Sequence, residues 1–207
     1  MKMTRYTHAA VLVEDNGTKI AIDPGEFGAI ENLSAVDAIL ITHDHFDHAD
    51  HRAILDAWTA NPDIAVYGPR SLADQSDFPV SIVDGGDAFN VKGVHIDVVG
   101  HSQAVASLDD DDIPNVGFIL AGKLLHPGDA FQPVTVDTLL LPMEVPWAKN
   151  IDRERALATN PPKRIIPIHD APLGKMGIEF MEHTLANLAR RIGAEALPLR
   201  VGDSANI

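Results

Sequence analysis

Cysteine is absent from the 207 residues. Disulfides, thiolate metal sites and cysteine nucleophiles are therefore excluded. Positive charge is scarce: 16 Lys and Arg face 30 Asp and Glu, for a formal net charge of -14. Such a surface repels phosphate backbones, so nucleic acid is a poor partner, although bound divalent cations would invert the sign locally. No apolar run is long enough to span a bilayer, and the opening Met1-Lys2-Met3-Thr4-Arg5-Tyr6 lacks the apolar core of a signal peptide. The expectation is a soluble cytoplasmic protein with no membrane partner, compatible with a homo-oligomer. A hydrophobic content of 45% provides the core of one domain covering residues 1–207.

What is present alternates short β-type runs with helical stretches. Strand-like runs are 9–13, 19–22, 38–41, 64–67, 80–83, 94–99, 116–120, 138–141 and 164–168, and the first six residues lead into the same pattern. Asp15-Asn16-Gly17 signals a hairpin, and Ala121-Gly122-Lys123 a similar turn. Helices are expected over 50–59, 153–159 and 175–191, the last with apolar Ile178, Met181, Leu185 and Leu188 at amphipathic spacing. Hairpins early and β-plus-helix units later predict an α/β fold with two packed sheets and helices outside. Asp109 to Asp112 reads as a solvated loop, because four adjacent side chains do not converge easily on one ion.

The densest chemistry lies in Thr42-His43-Asp44-His45-Phe46-Asp47-His48, directly after Ala38-Ile39-Leu40-Ile41. Imidazole and carboxylate are ligands of borderline divalent metals such as zinc. Four of them in six residues suggest more than one ion, since a backbone cannot wrap one tetrahedral ion so tightly. In an extended segment His43, His45 and Asp47 would share a face and His48 would point elsewhere. Further polar residues end other strand-like runs: His101 after Val98-Val99-Gly100, Asp129 after His126-Pro127-Gly128, and His169 after Pro167-Ile168. Ligand sites of open α/β layers collect at such strand ends, so these three are predicted to converge with the heptapeptide.

In this order the residues resemble the metallo-β-lactamase superfamily, over nearly the whole chain. The signature His-x-His-x-Asp-His is matched at 43, 45, 47 and 48. Thr-His-Ala-Ala-Val-Leu-Val-Glu from Thr7, Ala-Ile-Asp-Pro-Gly ending at Gly25, Gly-His-Ser at 100–102, Asn-Val-Gly at 115–117 and His-Pro-Gly-Asp at 126–129 resemble its ascorbate-phosphate-lactonase-like branch. The resemblance implies a four-layer αββα sandwich. It also implies a first metal held by His43, His45, His101 and Asp129, and a second held by Asp47, His48, Asp129 and His169, with Asp129 bridging. The cofactors would be two divalent ions, zinc first, with manganese, iron or nickel as alternatives.

Such a pair would share a hydroxide and cleave a small-molecule ester, lactone or phosphorylated metabolite. Asp47 is the catalytic candidate, holding and deprotonating the water. Asp23 resembles the superfamily's early aspartate and would buttress the site; Asp44 and Asp170 are weaker candidates for the same kind of support. His8 is read as a rim or packed strand residue, and His126 as a substrate contact or a turn-packing residue. Trp147 is a pocket wall or a core plug, and His51 an exposed helix residue. Two other classes compete: an iron-dependent oxidoreductase or sulfur dioxygenase on the same fold, and a non-catalytic metal-binding protein.

Overall fold

A computed structural model describes residues 1–107 and 113–207. The acidic run at 109–112 lies outside the described residues. One seven-stranded sheet contains β1 (Lys2–Arg5), β2 (Val11–Asp15), β3 (Thr18–Ile22), β4 (Ala38–Leu40), β5 (Ala65–Gly68), β6 (Ser81–Ile82) and β14 (Ser204–Asn206), in the order β14-β1-β2-β3-β4-β5-β6. The other contains β7 (Ala88–Val91), β8 (Val94–Val99), β9 (Gly117–Leu120), β10 (Leu124–His126), β11 (Thr138–Pro142), β12 (Arg164–Ile168) and β13 (Glu195–Ala196), in the order β13-β12-β11-β10-β9-β8-β7. Both sheets are mixed. The β14 to β3 and β7 to β10 neighbours pair antiparallel, and the β3 to β6 and β10 to β13 neighbours pair parallel.

The helices are α1 (His51–Ala60), α2 (Arg70–Gln75), α3 (Asn150–Ala158) and α4 (Lys175–Ile192). Apolar packing is split into three layers. Between the sheets lie Ile20, Ile22, Leu40, Ile96, Phe118, Leu120, Leu140 and Ile166. Outside the first sheet, Ile39 and Ile41 pack with Ile54 of α1. Outside the second, Leu139 and Leu141 pack with Leu157 of α3 and Leu185 of α4. The fold is therefore the expected αββα sandwich. Strands β4 and β11 are buried at every position, which is why they read as continuous apolar runs. In β8 only Val94, Ile96 and Val98 point inward, and the sequence alternates accordingly.

Local chemistry sets the boundaries. Asn16 and Gly17, both at positive φ, turn β2 into β3. Asp50 caps α1 by accepting the Ala53 N–H at 2.9 Å. Gly193, at φ 76°, ends α4. The unexpected elements are α2 and the strands β7, β13 and β14. The strands β13 and β14 are only two and three residues long, too short for a hydrophobic period to show. Among the described residues no helix is long and apolar enough to cross a membrane.

Two backbone hydrogen bonds tie the sheets together beside the strand ends. His169 N–H donates to the His8 carbonyl at 2.9 Å, and Val116 N–H to the Thr42 carbonyl at 2.9 Å. The loops after β1, β4 and β12 meet there.

Candidate metal centre

The heptapeptide leaves β4 as a tight turn, not as an extended segment. The His48 and Ala49 N–H groups both donate to the His45 carbonyl, at 2.9 and 2.8 Å. The expected shared face of His43, His45 and Asp47 is therefore lost. The turn lies directly on Gly25, where a Cβ would stand 2.0 Å from the Asp47 carbonyl oxygen. Only glycine permits that approach.

Fully buried Asp23 organises the floor. Its Oδ1 accepts the Thr42 N–H at 2.8 Å, and its Oδ2 accepts the Thr42 hydroxyl at 2.7 Å and His48 Nδ1–H at 2.7 Å. Burial alone would raise the Asp23 carboxyl, but His126 and His48 hold it below its ordinary value. Asp23, expected to buttress the site, thus bonds both the Thr42 backbone and side chain and the His48 ring. With its proton given to Asp23, the Thr42 oxygen accepts from His43 Nδ1 at 3.0 Å. On β12's side, His169 Nδ1 donates to the Glu144 carbonyl at 2.6 Å.

These bonds fix the tautomers. In their neutral forms His43, His48 and His169 carry the proton on Nδ1 and turn the Nε2 lone pair inward, where a metal or a second proton can take it. His48 Nε2, His169 Nε2 and Asp129 Oδ1 are buried without a hydrogen-bond partner. Asp129 Oδ1 lies 3.4 Å from each of the two nitrogens. Asp47 Oδ2 is 3.6 Å from His169 Nε2 and 3.9 Å from His48 Nε2. Buried acceptors aimed at one another repel unless a cation or proton lies between them. The donor set therefore fits a divalent metal.

The electrostatics agree. Burial would lower His48, yet Asp129 and Asp23 lift it well above its ordinary value. Burial would raise Asp129, yet His48 and His169 hold it well below. Asp47 is likewise held low against its burial, first by its bond to His8 and then by His48. His43 has no such charge dominance; burial and His48 push it down to about 3. In the metal-free protein a proton on His48 thus offsets the carboxylates.

Among the described residues, two groupings of donors lie within reach of one ion each: His8, Asp47, His48 and His169, and His43, His48 and Asp129. The second expected set, Asp47, His48, Asp129 and His169, is brought together. The first is brought together only in part. His45 half-emerges beside His43, its Nδ1 3.1 Å from His43 Nε2. His101 does not converge as predicted. Its side chain is 70% exposed, and its Nδ1 lies 2.9 Å from Asp84 Oδ1. The turn at Gly100 (φ 77°), which Gln132 packs against, carries the ring outward to that carboxylate.

His8 belongs to the first grouping by distance but not by chemistry. Its Nδ1 accepts the Ala171 N–H at 3.3 Å, so Nε2 carries the proton and donates to Asp47 Oδ2 at 3.0 Å. It is 1% exposed, and its ring lies against that of His169, tilted by 46° with centroids 3.8 Å apart. His8, Asp23 and His169 all hold positive φ (62°, 48° and 66°), a conformation unusual outside glycine.

The remaining candidates sort clearly. His126 is fully buried, donates from Nε2 to the Ala9 carbonyl at 2.8 Å and accepts the Gly128 N–H at Nδ1. It packs the turn and offers no surface to a substrate, which corrects the substrate-contact reading. Trp147 packs edge-on against Phe131 at 4.9 Å, two residues beyond Asp129. Asp44 bonds His51 at 2.6 Å and Gln75 at 2.6 Å, tying the heptapeptide to α1 and α2; His51 is accordingly not free. Asp170 pairs with buried Arg5. Sequence reasoning missed the Thr42 hydroxyl, the Glu144 carbonyl and Asn115. Asn115 accepts the Asp129 N–H at 2.9 Å and donates to the Pro127 carbonyl at 3.0 Å, fixing the turn that presents Asp129. A polar side chain inside the Asn-Val-Gly triplet was the available signal.

This sandwich, with its lone pairs converging at the strand ends, defines a metal-dependent hydrolase of the metallo-β-lactamase fold. Residues 2–169 match the family model described as the beta-lactamase superfamily domain, and the chain belongs to that family. It is 34% identical over 182 residues to protein Rv0786c of Mycobacterium tuberculosis, covering 83% of this chain and 84% of that one. A UPF0173 metal-dependent hydrolase of Pyrobaculum islandicum is 28% identical over 196 residues, covering 82% and 84%. The metallo hydrolase Igni18 of Ignicoccus hospitalis shares the fold with TM-score 0.72 at 19% identity, over 99% of this chain and 97% of that one.

Proposed function

We propose that the site holds two divalent ions, zinc first, and hydrolyses a small ester, lactone or phosphorylated metabolite. The convergence of Asp129 Oδ1, His48 Nε2 and His169 Nε2, all buried and unpartnered, carries this reading. One ion would take Asp47, His48, Asp129 and His169. The other would take His43, His45 and Asp129, completed by His101 once its ring leaves Asp84. The motifs around His8, Asp23 and His126 support placement in the ascorbate-phosphate-lactonase-like branch.

When bound, such ions supply Lewis acidity and bring a water's pKa toward neutrality. The chain's own residues do the positioning. Asp23 and Glu144 orient His48 and His169 through Nδ1, leaving each Nε2 basic. His8 Nε2–H binds Asp47 Oδ2 and leaves Oδ1 for a ligand or for the attacking water's proton. Asp47 accepts that proton as the oxygen attacks the carbonyl or phosphoryl centre, and returns it to the leaving group.

Metal analysis of the purified protein, with a screen of lactones, esters, phosphodiesters and thioesters, tests the reading. Two zinc equivalents and hydrolysis are expected, with turnover reduced about 10²–10⁴-fold in Asp47→Ala. Tightly bound iron with an oxygen-consuming activity would overturn it in favour of an oxidoreductase.

A further inference from the structure

Two aromatic rings stand exposed beside the metal centre. Phe46 lies between His45 and Asp47 in the heptapeptide and is 57% exposed; Phe27, in the loop after β3, is 43% exposed. Their rings meet edge to face at 5.4 Å. Phe27 in turn meets the His8 ring edge to face at 5.1 Å, and His8 bonds Asp47. A continuous path of contacts thus runs from the acceptor cluster to the two rings. Large side chains left in water at the mouth of a buried polar site mark a surface that something apolar covers.

The charges point the same way. Among the described residues, no lysine or arginine is bonded to His8, His43, Asp47, His48, Asp129 or His169. A phosphoryl or carboxylate handle on the substrate would find no guanidinium or ammonium partner in that set. Glu26, exposed next to Phe27, would repel it.

We infer that Phe27 and Phe46 form the wall of an acyl or alkyl subsite, and that the substrate is an uncharged ester or lactone carrying an apolar group. The inference rests on the hydrolase reading and selects among its substrate classes. The scissile carbonyl sits over the metal centre while the apolar group lies against the two rings, whose edge-to-face contact leaves one face of each ring for it.

The test is a chain-length series of 4-nitrophenyl esters with the metal-loaded protein. From acetate to hexanoate, kcat/KM should rise about tenfold, since the four added methylenes lie on one open wall and leave water only in part. In Phe27→Ala/Phe46→Ala the series should flatten to within about twofold while metal content holds. Phe46→Leu, which keeps an apolar surface, should retain most of the slope. An unchanged slope in the double variant would overturn the wall, as would a preference for 4-nitrophenyl phosphate or for an ester with a terminal carboxylate. If neither these esters nor the lactones, phosphodiesters and thioesters of the wider screen are cleaved, the hydrolase reading fails separately, and calorimetric binding of hexanoate against acetate decides the wall. Hexanoate binding more tightly in the wild type, but not in the double variant, supports it; equal binding sinks it. Sedimentation completes the test: a dimer lost only in the double variant would show that a second copy, not a substrate, covers the rings.

Discussion

His48 Nδ1 donates to Asp23 Oδ2 over 2.7 Å, and both side chains are fully buried. The bond sets which nitrogen of His48 faces the metal centre. It also reaches the centre from β3, a different strand from the one that feeds the heptapeptide. Asp23→Asn keeps the shape and tolerates the positive φ of 48°, but its amide bonds His48 and Thr42 less well. Metal affinity should fall about 10–100-fold with the fold intact. Competition with a fluorescent chelator, beside an unchanged far-ultraviolet circular dichroism spectrum, would show it. Equal affinity in wild type and variant would mean that His48 needs no such partner.

Gly25 offers a sharper structural test. Its added Cβ would meet Asp47 O at 2.0 Å, Asp47 C at 2.2 Å and His48 N at 2.7 Å, all backbone atoms that a side-chain rotation cannot move aside. Gly25→Ala must push the metal-binding turn off its floor. A loss of about 3 kcal/mol or more in urea unfolding is expected, from the top of the usual overpacking range, together with weakened metal binding. Full stability would show that the turn yields without resistance.

What the sequence made legible follows physical rules. The sandwich was readable because β4, β8, β11 and β12 bury apolar residues in continuous or alternating runs. The candidate ligands Asp47, His48, Asp129 and His169 were readable because histidine and aspartate have few other reasons to crowd the loops that follow apolar strands. What stayed hidden depends on geometry. His8 and His48 are both histidines near Asp47, and only the partner of the second nitrogen (Ala171 N–H or Asp23) separates a proton donor from a lone-pair ligand. The outward turn of His101 depends on Asp84, 17 residues away, and on the φ of Gly100, neither of which has a pattern. The Glu144 contribution is a backbone carbonyl, which any residue could have supplied.

Arg5 and Asp170 form an ion pair behind the centre, with Arg5 2% exposed and Asp170 8% exposed. Arg5 also donates to the Leu199 carbonyl at 3.1 Å, joining the end of β1 to the segment before β14. Asp170→Ala would strand a buried guanidinium, and removal of one partner of such a pair costs about 3–5 kcal/mol. Arg5→Met/Asp170→Ala should recover much of that loss, because no charge is then left buried. Chemical denaturation of both variants distinguishes the cases; a double variant no more stable than the single one would mean that the pair contributes through geometry and not through charge.

The pH dependence of the metal-free protein follows from histidines that shift in opposite directions. His48 is raised above the ordinary value of 6.5 by Asp129 and Asp23, against the effect of its burial. Its contribution is complete below pH 6.5 and is lost as pH rises through the folded value. His43, at about 3, and His8 and His126, all lowered first by burial, oppose protonation in the folded state. Acidification below 6.5 protonates these three only in the unfolded chain and so destabilises the fold. The two effects cross near pH 6.5, where stability should peak. Three groups act on the acid side and one on the alkaline side, so the acid flank should be the steeper, each group contributing up to about 1.4 kcal/mol per pH unit. Saturating zinc displaces the His48 proton and should move the maximum upward, while metal affinity weakens as pH falls. Thermal melts from pH 5 to 9, with chelator and with zinc, test this. A metal-free optimum that zinc leaves in place would show that His48 carries no proton for the metal to expel.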